Sequence, residues 1–209
     1  MPGTVHATAE AVSAAGGRAL AVGCDISRDG DIARLIGRTI DEYGRVDILV
    51  NNAMSPLRGR FEDTDVSVWD AAIATNIRSL LVLCQSVLPH MMRQGGGSII
   101  NISSGGAEHA STPYLPPGFA IYAMAKAAME RFTTASAPEL AERGVAINAL
   151  RPGAVKTELA VHELGEDNDW SSWTTPDAVV PAVVFLAAER GDGFTGRIVD
   201  SPRFGKDWP

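Results

Sequence analysis

The sequence is short of the features that mark several protein classes. It has two cysteines, Cys24 and Cys84, in 209 residues. Both lie in apolar stretches with no Cys or His at metal-ligand spacing. They read as reduced, buried small hydrophobes, not as a disulfide framework or a metal site. No run of more than two basic residues occurs, and 18 Lys+Arg against 25 Asp+Glu leave a net charge of −7. Nucleic acid and anionic membranes both select basic patches, so neither is an expected partner. The longest uncharged apolar run, Ala178 to Ala188, is 11 residues, short of the ~18–20 that cross a bilayer. The opening MPGTVHATAE lacks the basic and apolar regions of a signal peptide. His6, His90, His109 and His162 show no metal-ligand spacing either. What remains is the composition of a cytoplasmic globular protein, 45% hydrophobic and 21% charged. Its length suits one domain over residues 1–209, able to bury roughly 70% of its unfolded surface without a staple.

Helix-period and strand-like segments alternate. Residues 4–15 are Ala-rich and stop at Gly16-Gly17, the pattern of a helix with a C-terminal stop. Residues 19–24 predict a short buried strand. Ile32, Leu35, Ile36, Ile40 and Tyr43 recur at helical spacing up to Gly44. Val46–Val50 predicts a strand, and Ser67 to Arg93 a long helix with a bend. After Gly95-Gly96-Gly97 come a strand over 98–102, a Pro-rich loop over 111–118 and a helix over 120–142 kinked at Pro138. A strand over 145–150, a helix over 177–189 and a strand over 197–200 complete the series. Such alternation implies a doubly wound parallel α/β sheet, Rossmann-like, which binds ligands at the carboxyl ends of its strands.

The chemistry-bearing residues cluster at those ends. Tyr122 and Lys126 stand at i and i+4, so a helix puts phenol and ammonium on one face. A cation favours the phenolate, which fits a Tyr for proton transfer near neutral pH. The plain alternative is a helix with a surface Lys. Ser104 ends the 98–102 strand, where it is either a hydroxyl donor to a substrate oxygen or an ordinary turn residue. Asn51-Asn52-Ala53 follows the 46–50 strand and either lines a site or caps a turn. Asn76 sits inside a helical run, where Asn is mildly unfavourable.

Taken in order, Cys24-Asp25-Ile26, Asn51-Asn52-Ala53, Asn76 in ATNIRS, NISS at 101–104, YAMAK at 122–126 and RPGAVKT at 151–157 resemble the short-chain dehydrogenase/reductase family. The resemblance spans residues 4–200. It implies hydride transfer between an alcohol and a carbonyl compound, with NAD or NADP as cofactor. Tyr122 would be the general acid/base, Lys126 would lower its pKa and bind the nicotinamide ribose, and Ser104 would hold the substrate oxygen. Asn76 would support a water relay to Lys126. Asp25 and Ile26 would flank the adenine, Asn52 and Ala53 the adenosine ribose. Pro152, Gly153 and Val155 would face the nicotinamide, and Thr157 the pyrophosphate. Helices around 67–93 and 120–142 would build a homodimer or homotetramer, as their counterparts do in the family.

Several features depart from the family pattern. Met54 stands where the family usually has Gly. The Ser104–Tyr122 interval is longer than usual and carries Pro113, Pro116 and Pro117. The family's first strand, Gly-rich phosphate loop, first helix and second strand have no counterpart here. The expectation is therefore an N-terminally truncated version of the fold, with an unpaired edge on the 46–50 strand. The rival expectation is a truncated, non-catalytic binding module. The one literal G-x-G-x-x-G, Gly191 to Gly196, follows a helix and precedes a strand, the reverse of a dinucleotide loop, and reads as a connection. Trp170 and Trp173 read equally as lid aromatics or core.

Overall fold

The computed structural model describes residues 4–55, 59–109 and 117–209. Four parallel strands form one sheet in the order β1-β2-β3-β4: β1 (Ile48–Asn51), β2 (Gly97–Ile102), β3 (Val145–Arg151) and β4 (Ile198–Asp200). The helices are α1 (Val5–Ala14), α2 (Asp29–Tyr43), α3 (Val66–Ile73), α4 (Ser79–Arg93), α5 (Ala120–Ala141), α6 (Glu158–Leu164) and α7 (Val180–Ala188).

Local chemistry explains most boundaries. α2 opens with Asp29 and Asp31 against the positive end of its dipole. It closes at Gly44, whose φ of +75° lets its N–H return to the Ile40 carbonyl at 2.8 Å. α3 and α4 form one continuous helical stretch, interrupted by a π turn over Ala74–Arg78. The turn lies inside the predicted long helix. By length and composition Val66–Arg93 would suffice to cross a membrane, but its α4 half buries Leu80, Leu83, Cys84, Val87 and Met91 in the core. α6 was not foreseen, because residues 158–164 carry no clear apolar stripe; Thr157 caps it by accepting from the Ala160 N–H at 3.1 Å.

The sheet's period of two divides the core. Ile99, Val145 and Ile147 face α2, α4 and α5, whereas Ile100, Leu150 and Val199 face α7 and the carboxyl-terminal segment. Burying Ile32, Ile99 or Ile147 completely is worth about 2–3 kcal/mol each. The second core is aromatic: Phe185, Phe194, Phe204 and Trp208 meet edge-on or stacked at 4.8–5.9 Å. The G-x-G-x-x-G segment is the loop from α7 to β4. Buried Asn148 holds it by donating to the Phe194 carbonyl and accepting from the Arg197 N–H.

One predicted element is corrected. Residues 19–24 form no strand. A strand exists only where a neighbour takes its backbone groups, and β1 pairs with β2 alone among the described strands. The 19–25 backbone turns to side chains instead: the Gly23 carbonyl accepts from Arg34, and the Asp25 N–H donates to Asp31. β1 itself runs Ile48–Asn51, not 46–50, and Ile48 and Val50 are each 44% exposed. Most of the 111–118 loop, with Pro113 and Pro116, lies outside the described residues. Pro138 falls in the last turn of α5.

Candidate active site

The register brings the carboxyl ends of the strands level. Asn51 pairs with Asn101, Asn101 with Ala149, and Arg151 with Asp200. The segments that leave these ends, 52–55, 103–107 and 152–157, therefore emerge along one edge, with the α5 residues Tyr122 and Lys126 beside them.

Lys126 is the most constrained of these groups. It is 4% exposed, and its Nζ donates to the Ile102 carbonyl at 2.5 Å, joining α5 to the end of β2. Its ammonium lies 5.9 Å from the Tyr122 ring centroid. Burial pushes the amine down from its ordinary 10.5 to about 8, and the Glu130 carboxylate pulls the other way. An ammonium has three donors. Ile102 takes one, so others remain for a ligand. Tyr122 is half-buried and packs edge-on against Phe119 at 5.9 Å. Ser104 Oγ accepts from the Gly106 N–H at 3.1 Å, capping a short 3-10 turn over Gly105–Ala107. That use leaves its hydroxyl proton free to meet a substrate oxygen.

Asn76 lies buried in the π turn, a device common at functional sites. Its Oδ1 accepts from the Ser55 N–H at 2.8 Å and its Nδ2 donates to the Ser55 carbonyl at 3.0 Å. The amide thus fixes the loop after β1. Arg78, in the same turn, pairs with Asp29 and ties down the start of α2. Asp25 is exposed and accepts from the Ser27 N–H and hydroxyl, bonds that hold its carboxyl below the usual range. Ile26 packs half-buried on the core. Asn52 and Ala53 are exposed beyond β1. Pro152 and Gly153 follow β3, and Val155 bridges to Thr174. Thr157 is engaged at the α6 cap and lines a cleft of about 660 Å³ with Lys156, Val161 and His162. Trp170 and Trp173 lie in neither main core; they meet each other edge-on at 4.9 Å, and Lys156 sits 5.0 Å over Trp170.

Sequence reasoning missed a buried polar cluster at the same edge. Glu130 Oε1 and Oε2 receive Arg151 at 2.7 and 2.8 Å, and Ser103 Oγ donates to Glu130 Oε1 at 2.6 Å. The available signal was the spacing Tyr122, Lys126, Glu130, which is one stripe of α5. Among the described residues no group of His, Cys, Asp and Glu could hold a metal ion.

A parallel α/β sheet whose polar groups gather at its carboxyl edge defines the doubly wound class of ligand-binding folds. Comparison with known proteins narrows it. The short chain dehydrogenase family model matches residues 2–168, and the chain belongs to that family of NAD(P)-dependent oxidoreductases acting on small alcohols and carbonyl compounds. A 3-oxoacyl-[acyl-carrier-protein] reductase, FabG, of Chlamydia pneumoniae is 32% identical over 204 residues, covering 92% of this chain and 78% of the relative. A 7α-hydroxysteroid dehydrogenase solved with NADH and 7-oxo glycochenodeoxycholic acid superposes with a TM-score of 0.78 at 26% identity, over 94% of this chain and 78% of that one. ElxO with NADP bound gives a TM-score of 0.71 at 28% identity, over 84% and 73% of the two chains.

Proposed function

We propose that this single domain interconverts a secondary alcohol and a ketone, or the corresponding aldehyde pair, with Tyr122 as general acid/base. The observation that carries the reading is the buried Lys126 ammonium, fixed to the Ile102 carbonyl beside the Tyr122 ring with donors to spare. The donor chemistry fits a nicotinamide dinucleotide: Lys126 can hold ribose hydroxyls, Pro152, Gly153 and Val155 the nicotinamide side, and Thr157 the pyrophosphate. Asp25, Ile26, Asn52 and Ala53 would hold the adenosine half. When bound, NAD or NADP supplies the hydride acceptor or donor.

In the oxidation direction, Ser104 positions the substrate hydroxyl and Tyr122, as general base, takes its proton as the carbinol C–H is lost as hydride. In reduction, Tyr122 returns that proton to the new alkoxide oxygen. Lys126 places its positive charge beside the Tyr122 ring, and Asn76 shapes the entry through Ser55. The resemblance further suggests a homodimer or homotetramer built on the helices around 67–93 and 120–142, and a cytoplasmic location. The compounds named for the similar proteins set the first assay panel: a 3-oxoacyl thioester and a steroid ketone, with NADH or NADPH. Tyr122→Phe should lower turnover by about 100-fold or more while cofactor fluorescence titrations stay unchanged. Turnover within a few-fold of wild type would remove Tyr122 from the mechanism. A wild type that neither turns over the panel nor binds NADH or NADPH would favour a non-catalytic module.

A further inference from the structure

We infer that Glu130 is a positioning residue: with Ser103 and Arg151 it clamps together the three segments that carry the proposed reacting groups. The inference deepens the oxidoreductase reading and rests on it. The clamp is geometric. Glu130 lies one turn beyond Lys126 on α5, Ser103 immediately precedes Ser104 after β2, and Arg151 immediately precedes Pro152-Gly153 at the end of β3. One carboxylate therefore holds α5, the β2 exit and the β3 exit through three bonds of 2.6–2.8 Å. The Glu130 and Arg151 side chains are 7% and 13% exposed, and the two-pronged fork fixes orientation as well as distance.

This cluster is separate from the core contacts that hold α5 on the sheet. Met129, Ala137 and Leu140 already do that by apolar packing, so a charge pair is not needed for attachment. Replacing buried ion pairs by apolar groups is often neutral or stabilising. A buried Glu–Arg–Ser cluster at the site edge, where apolar packing would serve for stability, fits a requirement of geometry. The other charged or titratable groups beside it are Lys126 and Arg131 on α5, Glu108 and His109 beyond the 3-10 turn, of which Glu108 also bonds Arg151, and Asp200 at the end of β4, 4.0 Å from Arg151.

The test is Glu130→Gln in the full chain, with two readouts. The first is steady-state turnover of the ketone panel. The clamp predicts a kcat lowered about ten- to hundred-fold, since small misplacements of reacting groups carry costs of that order, with KM for NADH or NADPH changed less than about twofold. The second uses [13C,15N]-lysine labelling, which gives three lysine signals, from Lys126, Lys156 and Lys206. The Lys126 side-chain signal should titrate at least about half a pH unit lower in the variant, because the facing carboxylate is gone. A kcat within about twofold of wild type overturns the clamp. Should Glu130→Gln fail to fold, Ser103→Ala decides: it cuts only the tie to β2, and a kcat drop of about threefold or more supports the clamp, while an unchanged kcat overturns it. A wild type inactive on every ketone that also binds neither NADH nor NADPH overturns the oxidoreductase reading and with it the clamp's part in turnover, whereas a Lys126 signal that still moves leaves the Glu130 carboxylate beside Lys126.

Discussion

Lys126→Met gives a direct measure of what the buried ammonium costs. The lysine amine is pushed down from 10.5 to about 8, chiefly by burial. In the unfolded chain it returns to its ordinary value, so between pH 8 and 10.5 the unfolded state binds more protons than the folded one. Stability then rises with pH across that window. At pH 7 the charged amine is present in both states, and the fold bears the full penalty. A drop from 10.5 to about 8 corresponds to about 3 kcal/mol at about 1.4 kcal/mol per pH unit; at pH 10 about 1 kcal/mol of it remains. Methionine fills similar volume without charge, but it leaves the Ile102 carbonyl without its Lys126 donor, a cost of about 1–3 kcal/mol that does not depend on pH. The variant should therefore match or exceed wild-type stability at pH 7. Its advantage should shrink by about 2 kcal/mol on going to pH 10. Urea unfolding followed by fluorescence of the four tryptophans at pH 7, 8, 9 and 10 measures this. A stability difference that stays constant within about 0.5 kcal/mol across the series would refute the premise that Lys126 is held charged against its burial.

Three further outcomes follow from other contacts. Arg151→Met leaves Glu130 buried without its cation and should cost about 3–5 kcal/mol in urea unfolding; a loss below about 1 kcal/mol would show that the pair is solvated. Phe185→Ala removes the ring that touches Phe194, Phe204 and Trp208 and should cost about 3–5 kcal/mol, with the Tm measured by calorimetry; an unchanged Tm would mean that the second core does not need it. Cys84 is buried and its thiol is pushed up to about 12 by desolvation, so it should escape iodoacetamide at pH 8 in the folded protein and react once unfolded, as read by mass spectrometry. Rapid labelling of folded protein would show that the α4 face opens.

The legible part of this fold is the part fixed by local patterns. α2 could be read from its apolar period and ended at Gly44, because a left-handed stop is written in one residue. β2 and β3 are short runs buried on both faces, and their apolar sequences show it. Residues 19–24 look the same in sequence and are not a strand, because whether such a run pairs depends on a neighbour that its own composition cannot reveal. Tyr122 and Lys126 could be read because helical spacing joins them. Ser103, Glu130 and Arg151 could not, since three elements distant in sequence meet there.

The distribution of buried polar groups gives the site an energetic signature that does not depend on any motif. Asn51, Asn101, Ser103, Lys126 and Glu130 are all buried, and all sit at or beside the carboxyl ends of β1 and β2. Most are satisfied: Asn51 donates to Asn101, Asn101 to Thr133, and Thr133 to the Met129 carbonyl. The exception is Asn51 Oδ1, buried without a partner among the described residues. Earlier on β2 and β3, Ile99, Val145 and Ile147 give an apolar core, in which the buried Ser98 and Asn148 bond to loop or helix-end groups. Polar groups placed where hydrocarbon would pack more cheaply oppose stability. Their concentration at one edge is therefore evidence for function there, independent of the Tyr–Lys spacing. The same reasoning ranks the residues. Lys126 and Glu130 combine the largest burial costs with the tightest bonds. Asp25 and Asn52 are exposed and cost little, so their roles stand on family resemblance alone.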